Sequence, residues 1–215
     1  MKTKVIGIGR AGGNVVNHIT RTPSREVRTV AVDTDADALS RIKADTKLRL
    51  THTHGLSAGG DPEVGREAAL AQQADLEEVT AGADLVIIVA GLGGGTGSTV
   101  AREAAQAAKA NGAVVVAIVI MPFGFEGPRH AENAEASLNA LRSEVDVLAV
   151  VSNDHLAPSP QGSVQQAMKI ANQMLAEMVV LATQNHVLAH TLGDVVAIKA
   201  AIRDALSKFN LPFDL

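Results

Sequence analysis

Five short apolar runs, mostly β-branched, punctuate the chain: Val5–Ile8, Val27–Val32, Leu85–Ala90, Val114–Ile120 and Val145–Val151. They are continuous rather than alternating, the pattern of parallel strands covered on both faces. Between them lie segments rich in Ala, Glu, Gln, Lys and Arg whose apolar positions recur at helical spacing: Pro62–Glu78, Ser98–Asn111 and Arg129–Arg142. Strands alternating with helices predict a doubly wound α/β fold, a mainly parallel sheet with helices on both faces. Asp61 and Pro62 read as the cap and first residue of one helix, and Asn111-Gly112 as the stop of another.

The pattern changes near residue 162. From Ser163 to about His190 there is no Pro or Gly, and Met168, Ala171, Leu175, Met178, Val179 and Ala182 recur at helical spacing. One long helix is expected there. Gly193 interrupts it, and Asp194–Phe209 reads as a second amphipathic helix with Val195, Ile198, Ile202 and Leu206 on one side. The division expected is an α/β domain over 1–162, its long helix over 163–192 and a tail helix over 193–215. Pro158, Pro160 and Gly162 form the only linker-like loop.

Composition narrows the chemistry. The 215 residues carry a net charge of −4, with four Phe, no Trp and no Tyr. That argues against nucleic-acid binding by bulk positive charge or by base stacking. The absence of cysteine excludes disulfides, thiolate metal sites and Cys nucleophiles. The longest apolar run, Ala113 to Met121, is about half of a membrane span. The expected setting is cytoplasmic.

The glycines cluster at the ends of predicted strands, where open α/β sheets bind ligands. Gly7, Gly9 and Gly12 form a G-x-G-x-x-G, weak on its own, and Asp33 or Asp35 could serve as the acid of a dinucleotide fold. The run Gly91-Leu92-Gly93-Gly94-Gly95-Thr96-Gly97-Ser98 is stronger. Such a run is costly in backbone entropy, and bare N–H groups at a helix start make a phosphate cradle. Gly95 is expected to need either a positive φ or room for a phosphate. No Lys follows, so the run is not a Walker loop. A third loop, Gly55–Gly65, precedes another helix. Three such loops at one sheet edge point to a polyphosphate ligand.

In order along the chain these segments resemble the tubulin/FtsZ family. Gly93–Ser98 is similar to its G-G-G-T-G-[ST] signature, Gly9–Asn14 to its first nucleotide loop, Asp33–Leu39 to N-T-D-A-x-A-L, and Gly55–Gly65 to G-L-G-A-G-x-[DN]-P-E-V-G. Pro122–Gly127 resembles P-F-x-F-E-G, and Ser152-Asn153-Asp154 resembles P-N-D. The resemblance covers roughly residues 2–180, with FtsZ the nearer branch. It implies GTP/GDP, with Mg²⁺ near Asp35. Gly12, Gly13 and Asn14 would line the phosphates. Gly93, Gly94, Gly95, Thr96 and Gly97 would wrap them, and Ala58, Gly59 and Gly60 would reach the γ-phosphate. Glu126 would hold the ribose, Asn153 and Asn172 would read the guanine edge, and Met168 would cover the base.

Three departures stand against the family pattern. After Gly127 the chain reads Pro128-Arg129-His130, so His130 stands where an Arg is usual and Arg129 is one place early. Asp33 stands where Asn is usual, adding charge beside the phosphates, which is expected to weaken GTP binding or raise its Mg²⁺ dependence. The family's activating N-x-D-x-x-D loop, which completes the next subunit's site, is replaced by Thr191–Ile198, where only Asp194 is acidic. Asp194 is therefore the one catalytic candidate, and a helix cap is its alternative role. No counterpart of the family's C-terminal domain is read in these 215 residues and the tail Lys208–Leu215 resembles none of it; a naturally short protein is the expectation, with a truncated chain the alternative.

The function expected is a guanine-nucleotide-binding protein that self-associates as a filament or dimer, with weak or atypically triggered hydrolysis. The alternative is a non-polymerising nucleotide-regulated module acting through a partner, such as a full-length FtsZ. An NAD-type oxidoreductase fits poorly. His186 with His190, and Thr51-His52-Thr53-His54, read as surface or interface residues rather than metal sites. Ser152, Asp154 and His155 lack a nucleophile elbow.

Overall fold

The long apolar runs pair side by side into a six-stranded, all-parallel sheet of order β3-β2-β1-β4-β5-β6. The computed structural model describes residues 2–20, 27–156 and 163–188, together with positions 196, 197, 200, 203, 204 and 207. The strands are β1 (Thr3–Ile8), β2 (Val27–Asp33), β3 (Thr46–Arg49), β4 (Leu85–Gly91), β5 (Val114–Met121) and β6 (Val147–Ser152). The helices are α1 (Gly9–Ile19), α2 (Ala36–Ser40), α3 (Pro62–Ala71), α4 (Gln73–Thr80), α5 (Gly95–Ala110), α6 (Pro128–Arg142), α7 (Asn153–Leu156) and α8 (Val164–Leu188).

The central strands are buried on both faces, as continuous apolar runs require. Ile6 pairs with Val30 on one side and Ile88 on the other, and all three are fully or almost fully buried. One core layer joins Ile6, Ile88 and Val119 to Ala104 and Ala108 of α5, to Ala68 of α3, Leu76 of α4 and Leu141 of α6. The opposite layer joins Val5, Ile87 and Ile118 to Val15 and Val16 of α1 and to Ala171, Leu175 and Met178 of α8. The helix expected from Ser163 therefore covers the sheet through its small and apolar stripe.

The strand order reverses direction between β1 and β4, so the loops leaving these neighbours diverge to opposite faces. A crevice opens at the carboxyl ends of such strands. The turn β1–α1 is immediate, helix following strand at Gly9. This close approach depends on glycine: a methyl on Gly12 would run into the Val89 carbonyl oxygen.

Several boundaries differ from expectation. The edge strand β3 has no continuous apolar run, because Thr46, Lys47 and Arg49 are exposed. The single helix expected over Pro62–Glu78 is two. Gln72 leaves the helical region (φ −127, ψ 35), and its amide nitrogen reaches the Arg49 carbonyl at 3.3 Å. Its carbonyl oxygen accepts from the Thr51 hydroxyl at 3.0 Å. The helix breaks because this side chain satisfies the backbone beyond β3. The last strand begins at Val147 rather than Val145, since the Asp146 carboxylate accepts from Val115 N–H at 2.8 Å ahead of it. The caps hold: Asp61 accepts from Glu63 N–H at 2.9 Å, and Gly112 follows α5 with φ +80. The linker-like loop, Gly193 and most of the expected tail helix lie outside the described residues.

Candidate functional site

Three glycine loops meet at the crevice between β1 and β4 and enclose a cleft of about 380 Å³. From the first loop Gly9, Arg10, Ala11 and Asn14 line it; from the second, Gly94, Gly95, Thr96 and Gly97; from the third, Ser57 and Gly60. The first turns of α1 and α5 point their unpaired N–H groups at this space, and the helix dipoles add positive potential. α1 and α5 carry no acidic residue in that turn, and Gly94 caps α5 in an extended conformation with no side-chain cap. The amides there are left for a ligand.

The second loop is braced from behind. Gly93 adopts φ +98 and donates its N–H to Ser98 Oγ at 2.8 Å. Leu92 N–H donates to the Ile120 carbonyl at 2.8 Å, and Asn133 Nδ2 donates to the Gly93 carbonyl at 3.3 Å. Gly95 has no positive φ, and the space beside it is not left for a phosphate. A methyl there would stand 2.6 Å from the Ala58 Cβ and 2.6 Å from the Asp61 carbonyl oxygen. Gly95 is glycine because the third loop seats against it.

Thr34, fully buried, joins the loops. Its hydroxyl lies 2.8 Å from that of Thr96 and accepts from Ala58 N–H at 3.2 Å. The Thr53 hydroxyl donates to the Thr34 carbonyl at 3.3 Å.

Three carboxylates line the cleft, and two of them, Asp33 and Asp35, stand together beside the glycine loops. Asp33 is 7% exposed, and burial pushes its carboxyl above the usual range. N–H donation from Asp35 and Thr34 pulls the other way, the Asp35 charge adds to the rise, and Arg10 opposes it. Asp35 caps α2 by accepting from Ala38 N–H at 2.9 Å, and its other oxygen lies 3.7 Å from the Arg10 guanidinium. Two carboxylates beside a phosphate cradle suit a hard divalent cation, which takes oxygen from both protein and phosphate.

The far end of the cleft is lined by Glu126, His130, Asn153, Met168, Ala171 and Asn172. Glu126 is held by accepting from Phe123 N–H at 2.8 Å, and Asp154 ties this loop to α7 by accepting from Gly124 N–H at 3.1 Å. Met168 and Asn172 lie one helical turn apart on α8, and Asn153 opens α7 directly after β6. The amides of Asn153 and Asn172 have no side-chain partner among the described residues and face the cleft.

Of the residues expected at the site, Asn14, Asp35, Gly60, Gly94, Gly95, Thr96, Gly97, Glu126, His130, Asn153, Met168 and Asn172 line this one cleft. Gly12, Gly13, Ala58, Gly59, Gly93 and Arg129 are not on its wall. Gly12, Gly13 and Ala58 are buried behind their loops, Gly93 backs onto the His130 carbonyl, and Gly59 and Arg129 are exposed. His130 rather than Arg129 faces inward because the helix starts at Pro128. Asp194 lies outside the described residues. Arg10, Ser57 and the apolar floor of Ile8, Leu92 and Ile120 had not been singled out. Arg10 could have been, since it sits inside the first glycine loop.

Among the described residues no cluster of three His, Asp or Glu could hold a metal, and no helix is long and apolar enough to cross a membrane. His52 instead pairs with Glu67 at 3.3 Å beside a one-turn helix at Thr51–Thr53.

A parallel doubly wound sheet with glycine loops and two helix N-termini at its switch point defines a nucleotide-binding α/β domain. The comparisons place it more narrowly. The Tubulin/FtsZ family, GTPase domain, matches residues 2–160, and the chain belongs to this family. Cell division protein FtsZ 1 of Pyrococcus abyssi is 41% identical over 178 residues, 81% of this chain and 48% of the relative. An empty FtsZ dimer of M. jannaschii superposes with a TM-score of 0.82 at 36% identity, over 86% of this chain and 55% of that one. A GTPγS-bound protofilament of CetZ2 from Haloferax volcanii superposes at 0.74 and 32% identity, over 83% and 57%. The chain spans about half the length of the curated relatives it matches.

Proposed function

We propose that the cleft binds a guanine nucleotide and that the bound nucleotide controls self-association of the chain. The observation that carries this reading is the convergence of three glycine loops and two uncapped helix starts on one crevice. Gly94, Gly95, Thr96 and Gly97 would receive the phosphates through backbone N–H groups, with Asn14 and Gly60 at their flanks. Glu126 would accept a ribose hydroxyl. Asn153 and Asn172 would donate to and accept from the base edge, an arrangement an amide can satisfy in both directions. Met168, 40% exposed, would cover one face of the base.

Asp33 and Asp35 would hold Mg²⁺ against the phosphates. A cation bound there would supply charge neutralisation. What the chain itself does is fix both carboxylates, by the N–H of Asp35 and by the cap on Ala38. Without a counter-ion, a buried anionic Asp33 would repel a triphosphate.

The solved FtsZ dimer of M. jannaschii and the GTPγS-bound CetZ2 protofilament support association between copies. The sequence after the long helix supports weak or atypically triggered hydrolysis. Phosphoryl transfer needs a positioned water, and Val195 and Ile198 hold hydrocarbon where the family pattern has carboxylates. Asp194 is the acid proposed to act there. That same departure supports a second reading, a non-polymerising module working through another protein. Sedimentation with GTP, GDP and no nucleotide, with phosphate release measured for the parent and Asp194→Ala, separates them. Nucleotide-dependent pelleting with slow turnover is expected. A protein that stays monomeric with every nucleotide supports the second reading. Fast, concentration-dependent turnover that survives Asp194→Ala overturns the slow-enzyme expectation and the Asp194 assignment.

A further inference from the structure

Beyond Met168 and Asn172 the cleft continues into a second cavity of about 470 Å³ between α1 and α8. Its walls are helical stripes. Gln165, Lys169 and Gln173 follow at four-residue intervals on α8, and Asn14 and His18 do so on α1. That spacing stacks side chains on one face of a helix, so each stripe presents itself as a row. The sequence sets this up by putting Ala167, Ala171 and Leu175 on the buried side of α8 and Gln165, Lys169 and Gln173 on its exposed side.

The space is an open groove, with Asn14, Gln165, Met168, Lys169 and Gln173 exposed and His18 and Asn172 half-buried, and three features mark it out. Among the described residues its wall is polar apart from Met168 and holds no carboxylate, the nearest on the same row being Glu177, one turn beyond Gln173. Asn14, His18, Gln165, Lys169 and Asn172 make no side-chain hydrogen bond or ion pair among the described residues; only Gln173 is engaged, with Glu177 at 3.3 Å. Finally, Asn14, Met168 and Asn172 line both cavities and form the partition between them. The volume falls in the range of small-molecule sites, about 300–1,000 Å³, and exceeds what a bare phosphate would fill.

We propose that this chamber is an effector subsite for a small metabolite bearing an oxyanion, a carboxylate or a phosphate. Lys169 and His18 receive the anion, and Gln165 and Gln173 hold its polar body. The occupant is coupled to the nucleotide cleft through the shared wall of Asn14, Met168 and Asn172. The proposal rests on the nucleotide reading for its coupling, and not for the anion site itself. An occupant backing Met168 and Asn172 steadies the groups that cover and read the base. Occupancy therefore tightens nucleotide binding, and by linkage nucleotide tightens the effector.

The test uses the full chain loaded with a fluorescent GDP analogue, with release followed after dilution into excess GDP. Citrate and inorganic pyrophosphate are the probes at millimolar concentration, each against sodium chloride of equal ionic strength. The expected result is a saturable slowing of release by about fivefold or more from at least one probe. Citrate acting alone assigns a carboxylate ligand, and pyrophosphate acting alone a phosphate. Lys169→Ala and His18→Ala should abolish the slowing while leaving GDP affinity without probe unchanged. No saturable effect from either probe, or an effect that persists in Lys169→Ala, overturns the proposal. Should GDP fail to bind the parent, the nucleotide reading fails separately. Calorimetry of citrate and pyrophosphate on the nucleotide-free parent and on Lys169→Ala then decides the chamber: binding lost in the variant keeps the anion site, and no binding removes it.

Discussion

The hydroxyls of Thr34 and Thr96 lie 2.8 Å apart in the interior, and through this contact the loop after β2 grips the glycine loop that opens α5. Thr34 also accepts the Ala58 N–H, so three loops share one buried oxygen. Thr34→Val keeps the shape and removes the hydroxyl. The Thr96 hydroxyl and the Ala58 N–H then lose a buried partner, at a cost of about 1–3 kcal/mol. Urea denaturation of the nucleotide-free protein should show a loss of that size with an unchanged m-value. A loss below about 0.5 kcal/mol would mean that water or another group replaces the contact.

The seat of the third loop can be tested by crowding it. Gly95→Ala places a methyl 2.6 Å from both the Ala58 Cβ and the Asp61 carbonyl oxygen. Overpacking of this kind costs about 1–3 kcal/mol. Ala58→Gly in the same chain removes one of the two obstructions, so the double variant should recover part of the loss and show coupling in a double-mutant cycle. Strict additivity would separate the two residues and remove this explanation of the glycine.

Asp33 gives a pH dependence whose sign is fixed. Its carboxyl is raised above the ordinary value of 3.8 by burial, so the folded protein binds its proton more tightly than the unfolded chain does. Stability therefore falls as pH rises from the unfolded value through the raised folded one, then levels off once Asp33 is ionised. Asp33→Asn removes the titration and keeps an oxygen able to accept from Asp35 N–H. Unfolding in chelator between about pH 4 and pH 7 should show the variant gaining on the parent as pH rises. Parallel curves would contradict the burial argument. In the same variant, nucleotide affinity should depend less on Mg²⁺, because one negative charge has left the cradle.

Most of this architecture could be read from the chain because the buried strands announce themselves. Val114–Met121 is apolar throughout, as a strand covered on both faces must be. The exposed edge strand Thr46–Arg49 carries no such mark, and only its pairing with β2 creates it. The break at Gln72 was equally hidden, since glutamine is a good helix former until its amide finds the backbone at Arg49 and Thr51. At the site, motif spacing located the loops but not which of their atoms face the ligand. Gly12 and Gly93 turned out to serve chain packing, and Gly95 serves contact with Ala58 and Asp61. The chamber beside His18 and Lys169 emerged only when α1 and α8 were brought side by side, a contact across some 150 residues that no local pattern encodes.

The central claim is that the cleft holds a guanine nucleotide whose base is read by amides. Titration calorimetry of the nucleotide-free parent with GTP and with ATP, both with Mg²⁺, tests it most directly, with Asn172→Ala as the second protein. The account predicts clear preference for GTP in the parent and a loss of about 1–3 kcal/mol in GTP binding for Asn172→Ala, with little change for ATP. Equal affinity of the parent for GTP and ATP would contradict it.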